Sequence, residues 1–284
     1  MSGMPRSIAC LALIALLGMG LRAHATPLHL SDTMLDVPYV PTPPEGVKAM
    51  LALAGVTRDD VVYDLGCGDG RIVIAAAKDL GATGVGVDLD PQRIAESREN
   101  ARRAGVDARV TFLQQDLFET DIRRATVVTL YLLGSLNERL RPKILAEVRP
   151  GTRIVSHAFR MGEWEPDDTN AVSGIELFLW IVPANVSGTW RAAGTGRREL
   201  VVDQHFQRLA GSLAWNDARF VIREGRVHGD HFELTAEPAT GSGRALRLSG
   251  QVRDDRIDGV TEGTGESWSL GRDPGTASRI DLPQ

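Results

Sequence analysis

Val61-Val62-Tyr63-Asp64-Leu65-Gly66-Cys67-Gly68-Asp69-Gly70-Arg71 is the stretch from which the rest of the chain is best understood. An apolar strand runs into Asp-x-Gly-x-Gly-x-Gly, and a helix follows from Arg71. Glycines at alternate positions let the main chain turn sharply and approach a ligand where any Cβ would collide. The helix behind them directs unpaired N–H groups at that ligand. Spacing then separates the ligand classes. A dinucleotide fold has Gly-x-Gly-x-x-Gly with a pyrophosphate on the helix N-terminus. This loop lacks that register and puts a carboxylate, Asp64, ahead of its first glycine. An acid there repels a diphosphate and suits an ammonium group.

A second acid follows. Gly84-Val85-Gly86-Val87-Asp88-Leu89-Asp90-Pro91 is a short apolar strand ending in Asp88, about 20 residues beyond the loop, where α/β nucleotide folds place their ribose hydroxyl acceptor. Asp88 is therefore assigned to a ribose, and Leu89 to one face of an adenine. The ligand that satisfies both acids is S-adenosylmethionine, which carries an ammonium and a sulfonium.

Outward from this stretch, strand and helix alternate. Pro41-Thr42-Pro43-Pro44-Glu45 opens a helix with Val47, Met50, Leu51 and Ala54 on one face, and Gly55 stops it. A helix over 71–80 closes at Gly81, and another runs from Pro91 to Gly105. Val110 to Leu113, Val127 to Leu132 and Arg153 to Ser156 read as further strands, with a helix over Leu136 to Val148. This alternation predicts a Rossmann-like, doubly wound, mostly parallel sheet whose ligands bind at the carboxyl ends of the strands. Those ends supply the other candidates. Asp116, followed by Leu117, is placed either to accept from an adenine amino group or to cap the next turn. Thr129 and Tyr131 end the fourth strand, where an acceptor would meet the activated methyl; Tyr131 fits a packing aromatic equally well. His157 ends the fifth strand, as a structural or a catalytic histidine.

After Pro183 the texture changes. Short alternating segments, among them Glu199 to Val202, Arg219 to Ile222, Phe232 to Thr235, Leu246 to Leu248 and Trp268 to Leu270, are separated by glycine and charged turns. They predict a small antiparallel barrel or sandwich over 184–284, anchored by Trp190, Trp215, Trp268 and Phe206. His228 and His231 flank a Gly-Asp turn with no third ligand evident, so no metal site is assigned.

The 284 residues have an ordinary globular composition. Residues 1–25 fit an export signal: Arg6 in a short basic region, an apolar run from Ser7 to Leu21, and Ala23-His24-Ala25 as a cleavage site. An uncleaved anchor is the alternative, and no second membrane segment is seen. Cleavage removes Arg6 and Arg22 and no acids, taking the formal net charge from −5 to −7; nothing favours nucleic acid. It also removes Cys10, leaving Cys67 without a disulfide partner and, inside the glycine loop, with a packing role rather than a chemical one.

These residues resemble class I S-adenosylmethionine-dependent methyltransferases. More narrowly they resemble the mitochondrial protein-lysine methyltransferases that modify the adenine nucleotide translocase and ATP synthase subunit c. The likeness is carried by Pro38-Tyr39-Val40-Pro41-Thr42-Pro43, Tyr63 to Ile74, Ser97-Arg98, Asp116-Leu117-Phe118, Val127 to Leu133, Leu140-Arg141-Pro142-Lys143, Gly151 to His157 and Met161-Gly162-Glu163-Trp164, across about residues 36 to 168. It implies Asp64, Gly66, Gly68 and Gly70 around the methionine moiety, Asp88 at the ribose and Asp116 at the adenine; Leu117, next to Asp116, is a further cofactor-binding candidate. The resemblance also implies a protein lysine as acceptor; Tyr131, Thr129 and His157, from their places at the strand ends, are the candidates to orient its amine, and none is assigned as a general base. Two departures stand out: relatives typically carry Glu at the position of Asp88 and Asn at that of Asp90, and they lack the export signal and the β domain. The resulting expectation is an exported (periplasmic) or membrane-associated enzyme acting on a protein substrate. The competing readings are a methyltransferase of a small molecule or lipid, and a non-catalytic cofactor-binding scaffold whose β module binds an envelope ligand.

Overall fold

A computed structural model describes residues 39–193 and 198–275. The export-signal expectation over 1–25 lies outside the described residues. The first layer forms as the glycine and proline punctuation dictates. Helix α1 (Pro44–Leu53) carries proline in its first turn, α2 (Arg71–Leu80) is bounded by Gly70 and Gly81 in left-handed conformation, and α3 (Pro91–Ala104) is capped by the Asp90 side chain on Gln92 N and ended by Gly105. Between them run β1 (Val61–Leu65), β2 (Thr83–Asp88) and β3 (Val110–Gln114). Then come β4 (Val127–Leu130), α4 (Gly134–Glu147) and β5 (Arg153–His157).

Two further strands, β6 (Asp168–Val172) and β7 (Ile175–Ile181), complete a sheet of order β3-β2-β1-β4-β5-β7-β6 among the described residues. β7 and β6 are antiparallel, the rest parallel. Sequence reasoning did not find this hairpin. Its turn has left-handed backbone at both Ser173 (φ 51°) and Gly174 (φ 81°), the type I′ geometry that matches strand twist. β6 is mostly exposed, so it shows no apolar alternation, while Leu177, Phe178, Leu179 and Trp180 of β7 are all buried. At the lower rim the Asp60 carboxylate gathers Thr57 N, Thr126 Oγ1 and the Arg153 guanidinium, tying α1, β4 and β5 together.

The second unit is a closed meander. Strands β8 (Gly188–Arg191), β9 (Arg198–His205), β10 (Arg208–Trp215), β11 (Ala218–His228), β12 (His231–Pro238), β13 (Leu246–Arg253), β14 (Arg256–Thr261) and β15 (Glu266–Arg272) pair in sequence, and β15 returns to β8. Of the two predicted alternatives it is therefore the barrel. Full closure leaves no free sheet edge. Trp190, Trp215, Phe232 and Trp268 fill its interior.

Phe206 departs from the sequence expectation. It is not a barrel anchor: at the β9–β10 turn, with φ 51°, it packs outward into the methyltransferase-like layer. Its ring stacks on Trp164 at 5.6 Å, with the Arg141 guanidinium 5.2 Å from its centre. Gln207 completes the joint, its Oε1 accepting from Trp164 Nε1 and its Nε2 donating to Asp167 Oδ2, both at 2.8 Å.

Candidate active site

The register of the parallel strands brings the predicted residues to one edge. Asp64 and Leu65 lie beside Gly86 and Val87 on one side and beside Thr129 and Leu130 on the other; Asp88 lies beside Gln114, and Leu130 beside Ser156. The carboxyl ends of β1 to β5 thus gather Asp64, Asp88, Asp116, Tyr131 and His157. The chain's direction of winding reverses between β2-β1 and β4, the position at which open α/β sheets form a ligand crevice.

The loop is held as its glycines require. Gly66 N and Cys67 N both donate to Val87 O. Gly68 N donates to Asp88 Oδ2 at 2.8 Å, and Asp90 N donates to Asp88 Oδ1 at 2.9 Å. Gly68 (φ 53°) has no room for a side chain, since a Cβ would stand 2.5 Å from the ring of Tyr39. Gly70 (φ 79°) opens α2 where a Cβ would meet Phe112 at 2.6 Å. Cys67 is buried, and burial pushes its thiol well above the usual range, which leaves it inert.

Asp64 is 3 % exposed. Burial lifts its carboxyl to about 7 against the pull of the Thr129 hydroxyl, which donates to Oδ1 at 2.7 Å; the charges of Asp88 and Asp69 push the same way as burial. No Lys or Arg pairs with it among the described residues. A desolvated acid with a single hydroxyl donor is costly unless a ligand cation offsets it, so this site fits an ammonium. Thr129 is thereby relocated: fully buried, its hydroxyl is engaged with Asp64, and it orients that acid rather than facing an acceptor.

A pH dependence follows. A carboxyl that ordinarily titrates near 3.8 keeps its proton in the folded chain up to about 7. Its contribution to stability is complete at acid pH and is lost as pH rises through that interval. Binding of an ammonium ligand runs the other way, because it needs the carboxylate. Affinity for S-adenosylhomocysteine is expected to be about 30-fold weaker at pH 5.5 than at pH 8, and Asp64→Asn should flatten that profile. A wild-type profile already flat over this range would contradict the assignment.

Leu89 is exposed at the crevice rim and Leu117 half-buried. Asp116 is exposed and accepts from Phe118 N at 2.8 Å, so it caps its own turn. On the other side, Tyr131 stacks on His157 with ring centres 3.7 Å apart. Burial holds the His157 imidazole below its usual range, hence neutral.

Three features escaped sequence reasoning. Thr42 Oγ1 lies 3.0 Å from His157 Nδ1. Ala158 has φ 65° while Phe159 N donates back to His157 O at 2.9 Å, a tight three-residue turn of the strained hand. Asn137 Nδ2 donates to Ser156 Oγ, at 3.1 Å, and to Phe159 O, at 3.2 Å, bracing that turn. Such strain costs about 1–3 kcal/mol and persists where surrounding contacts over-determine it, characteristically at functional sites. Left-handed alanine has no sequence signature, and Thr42 stands 115 positions from its partner.

Comparison with known proteins agrees with this geometry. Residues 64–168 match the model of the ANTKMT methyltransferase domain. A protein-lysine N-methyltransferase of Saccharolobus islandicus (strain REY15A) is 50% identical over 133 residues, spanning 46% of this chain and 83% of that protein. The chain belongs to this methyltransferase family. The adenine nucleotide translocase lysine N-methyltransferase of Mus musculus is 36% identical over 132 residues, 46% of this chain and 57% of that protein. Among solved structures, an RNA methyltransferase from Salinibacter ruber in complex with S-adenosyl-L-homocysteine is 52% identical. It covers 52% of this chain and 96% of its own, with a TM-score of 0.51. The chain is an S-adenosylmethionine-dependent methyltransferase. The family model's match ends at residue 168, ahead of the β-barrel, which begins at Gly188.

Proposed function

We propose that this enzyme methylates the side-chain amine of a protein lysine. The observation that carries the reading is the Tyr131–His157 stack beside the Asp64 crevice, together with the half identity to a protein described as a protein-lysine N-methyltransferase. The cofactor supplies a methyl group on a sulfonium, open to in-line displacement, so the protein's work is alignment and exclusion of water. Asp64 and the loop of Gly66, Gly68 and Gly70 hold the methionine end, Asp88 the ribose, and Leu89, Leu117 and Asp116 the adenine, Asp116 doing so while its Oδ1 also caps the turn at Phe118. An incoming lysine must first lose a proton, since an ammonium has no lone pair, and partial burial against cationic charge lowers its pKa. The Tyr131 ring offers a flat apolar wall to the lysine stem, and neutral His157 offers a hydrogen-bond partner to its amine.

RNA is the competing acceptor, because the Salinibacter ruber relative is described as an RNA methyltransferase. The net charge of −5 weighs against a polyanionic substrate. Incubation with methyl-labelled cofactor and cell extract decides: label is expected in protein and, after acid hydrolysis, in methyllysine. Label confined to RNA, lipid or small molecules would overturn the lysine reading. The basic, apolar and Ala-x-Ala pattern of residues 1–25 supports export as part of the same proposal. Sequencing the N-terminus of protein from fractionated cells should find Thr26 first in the envelope fraction.

A further inference from the structure

The segment just before α1 touches both halves of the crevice. At one end the Tyr39 ring lies over Gly68, burial and the nearby Asp69 charge raise its hydroxyl above the usual range, and the Arg93 guanidinium sits 4.4 Å from the ring centre. Arg71 grips Asp69 through Nε at 2.9 Å and Nη2 at 2.6 Å, and its Nη1 donates to Thr42 O at 2.9 Å. At the other end the Thr42 hydroxyl meets His157 Nδ1. One residue therefore joins the donor loop, through its carbonyl, to the acceptor-side stack, through its hydroxyl.

The composition of the segment makes that link stiff. Pro41, Pro43 and Pro44 have fixed φ, and Thr42, preceding a proline, is confined to extended backbone. Val40 and Thr42 each precede a proline and Pro41 has its φ fixed, so few rotations between Tyr39 and Thr42 are left to absorb a displacement. Thr42 is 3 % exposed, so its hydroxyl has no water to turn to.

We propose that Thr42 is a positioning residue, and that residues 39–44 act as a strap transmitting occupancy of the donor loop to the Tyr131–His157 stack. The proposal rests on the crevice being the cofactor site, but not on which acceptor is used. The strap keeps His157 in one ring orientation with Nδ1 engaged, which leaves Nε2 as the nitrogen available to an incoming group.

The test uses S-adenosylhomocysteine as probe, with calorimetric affinity and the His157 Cε1–H resonance as readouts, the latter assigned with His157→Gln. In the wild type, binding should shift that resonance. Thr42→Val, nearly isosteric, should bind the probe within about threefold of wild type yet lose at least about half of the shift, and Thr42→Ser should restore it. If Thr42→Val does not fold, Arg71→Gln releases the strap from the loop side and should likewise cut the response. A full response in either folded variant, or no response in wild type that binds the probe, overturns the strap and leaves the cofactor site standing. Absence of probe binding in wild type overturns both.

Discussion

Asp88→Ala is expected to lower affinity for S-adenosylhomocysteine by about 100-fold or more, since hydrogen bonds to a charged group contribute about 1.5–3 kcal/mol each. The carboxylate does two things at once. It organises the loop by accepting from Gly68 N and Asp90 N, and each oxygen retains a lone pair for a ribose hydroxyl. Alanine removes both functions, so the loop loses its template as the ligand loses its acceptors. Asp88→Asn should fall between the two, because its one amide oxygen replaces only part of the acceptor set. Calorimetric titration measures the effect, with a melting curve to establish that the variant is folded. A folded Asp88→Ala protein within threefold of wild type would remove the ribose assignment.

Phe206→Ala is expected to destabilise the methyltransferase layer by about 3–5 kcal/mol, the usual cost of deleting a buried aromatic ring, although the residue belongs to the barrel's connectivity. Its ring is 3 % exposed and fills the space between Trp164 and Arg141. Trp164 is fully buried, donates to Gln207, and its carbonyl accepts from Trp180 Nε1 at 2.7 Å. Removing the ring therefore opens a cavity against a hydrogen-bonded pair of tryptophans. Gln207→Leu attacks the same joint differently, stranding the Trp164 indole N–H at a cost of about 1–3 kcal/mol. Urea unfolding followed by tryptophan fluorescence and by loss of cofactor binding should show both probes moving together. A loss below about 1 kcal/mol, or a shift in a barrel transition alone, would show the two units to be energetically separate.

Much of the glycine-loop geometry was legible because its determinants are local. Alternate glycines force left-handed backbone, a carboxylate at the end of an apolar strand announces a ligand, and prolines and glycines mark where helices open and close. The β domain was equally readable as strands, since its alternation is regular, though not as a closed barrel. Closure depends on β15 returning to β8, a pairing that no short-range pattern encodes.

The errors share a cause. Val127 to Leu130 are buried on both faces, so strand periodicity could not say which way Thr129 points; only its pairing with Asp64 across the sheet does. Phe206 looked like another inward aromatic because alternation predicts facing within a strand and fails at a turn.

The sequence alone determined the parallel layer, the glycine turn that follows Asp64, the strand that ends in Asp88, and the change to a β texture after Pro183, because each follows from steric and charge rules acting over a few residues. Tertiary structure decided the hairpin β6–β7, the burial that lifts Asp64, the reach of Thr42 to His157 and the wedge of Phe206 against Trp164. Those depend on distant segments meeting, where packing and desolvation are set by neighbours the local chain does not name.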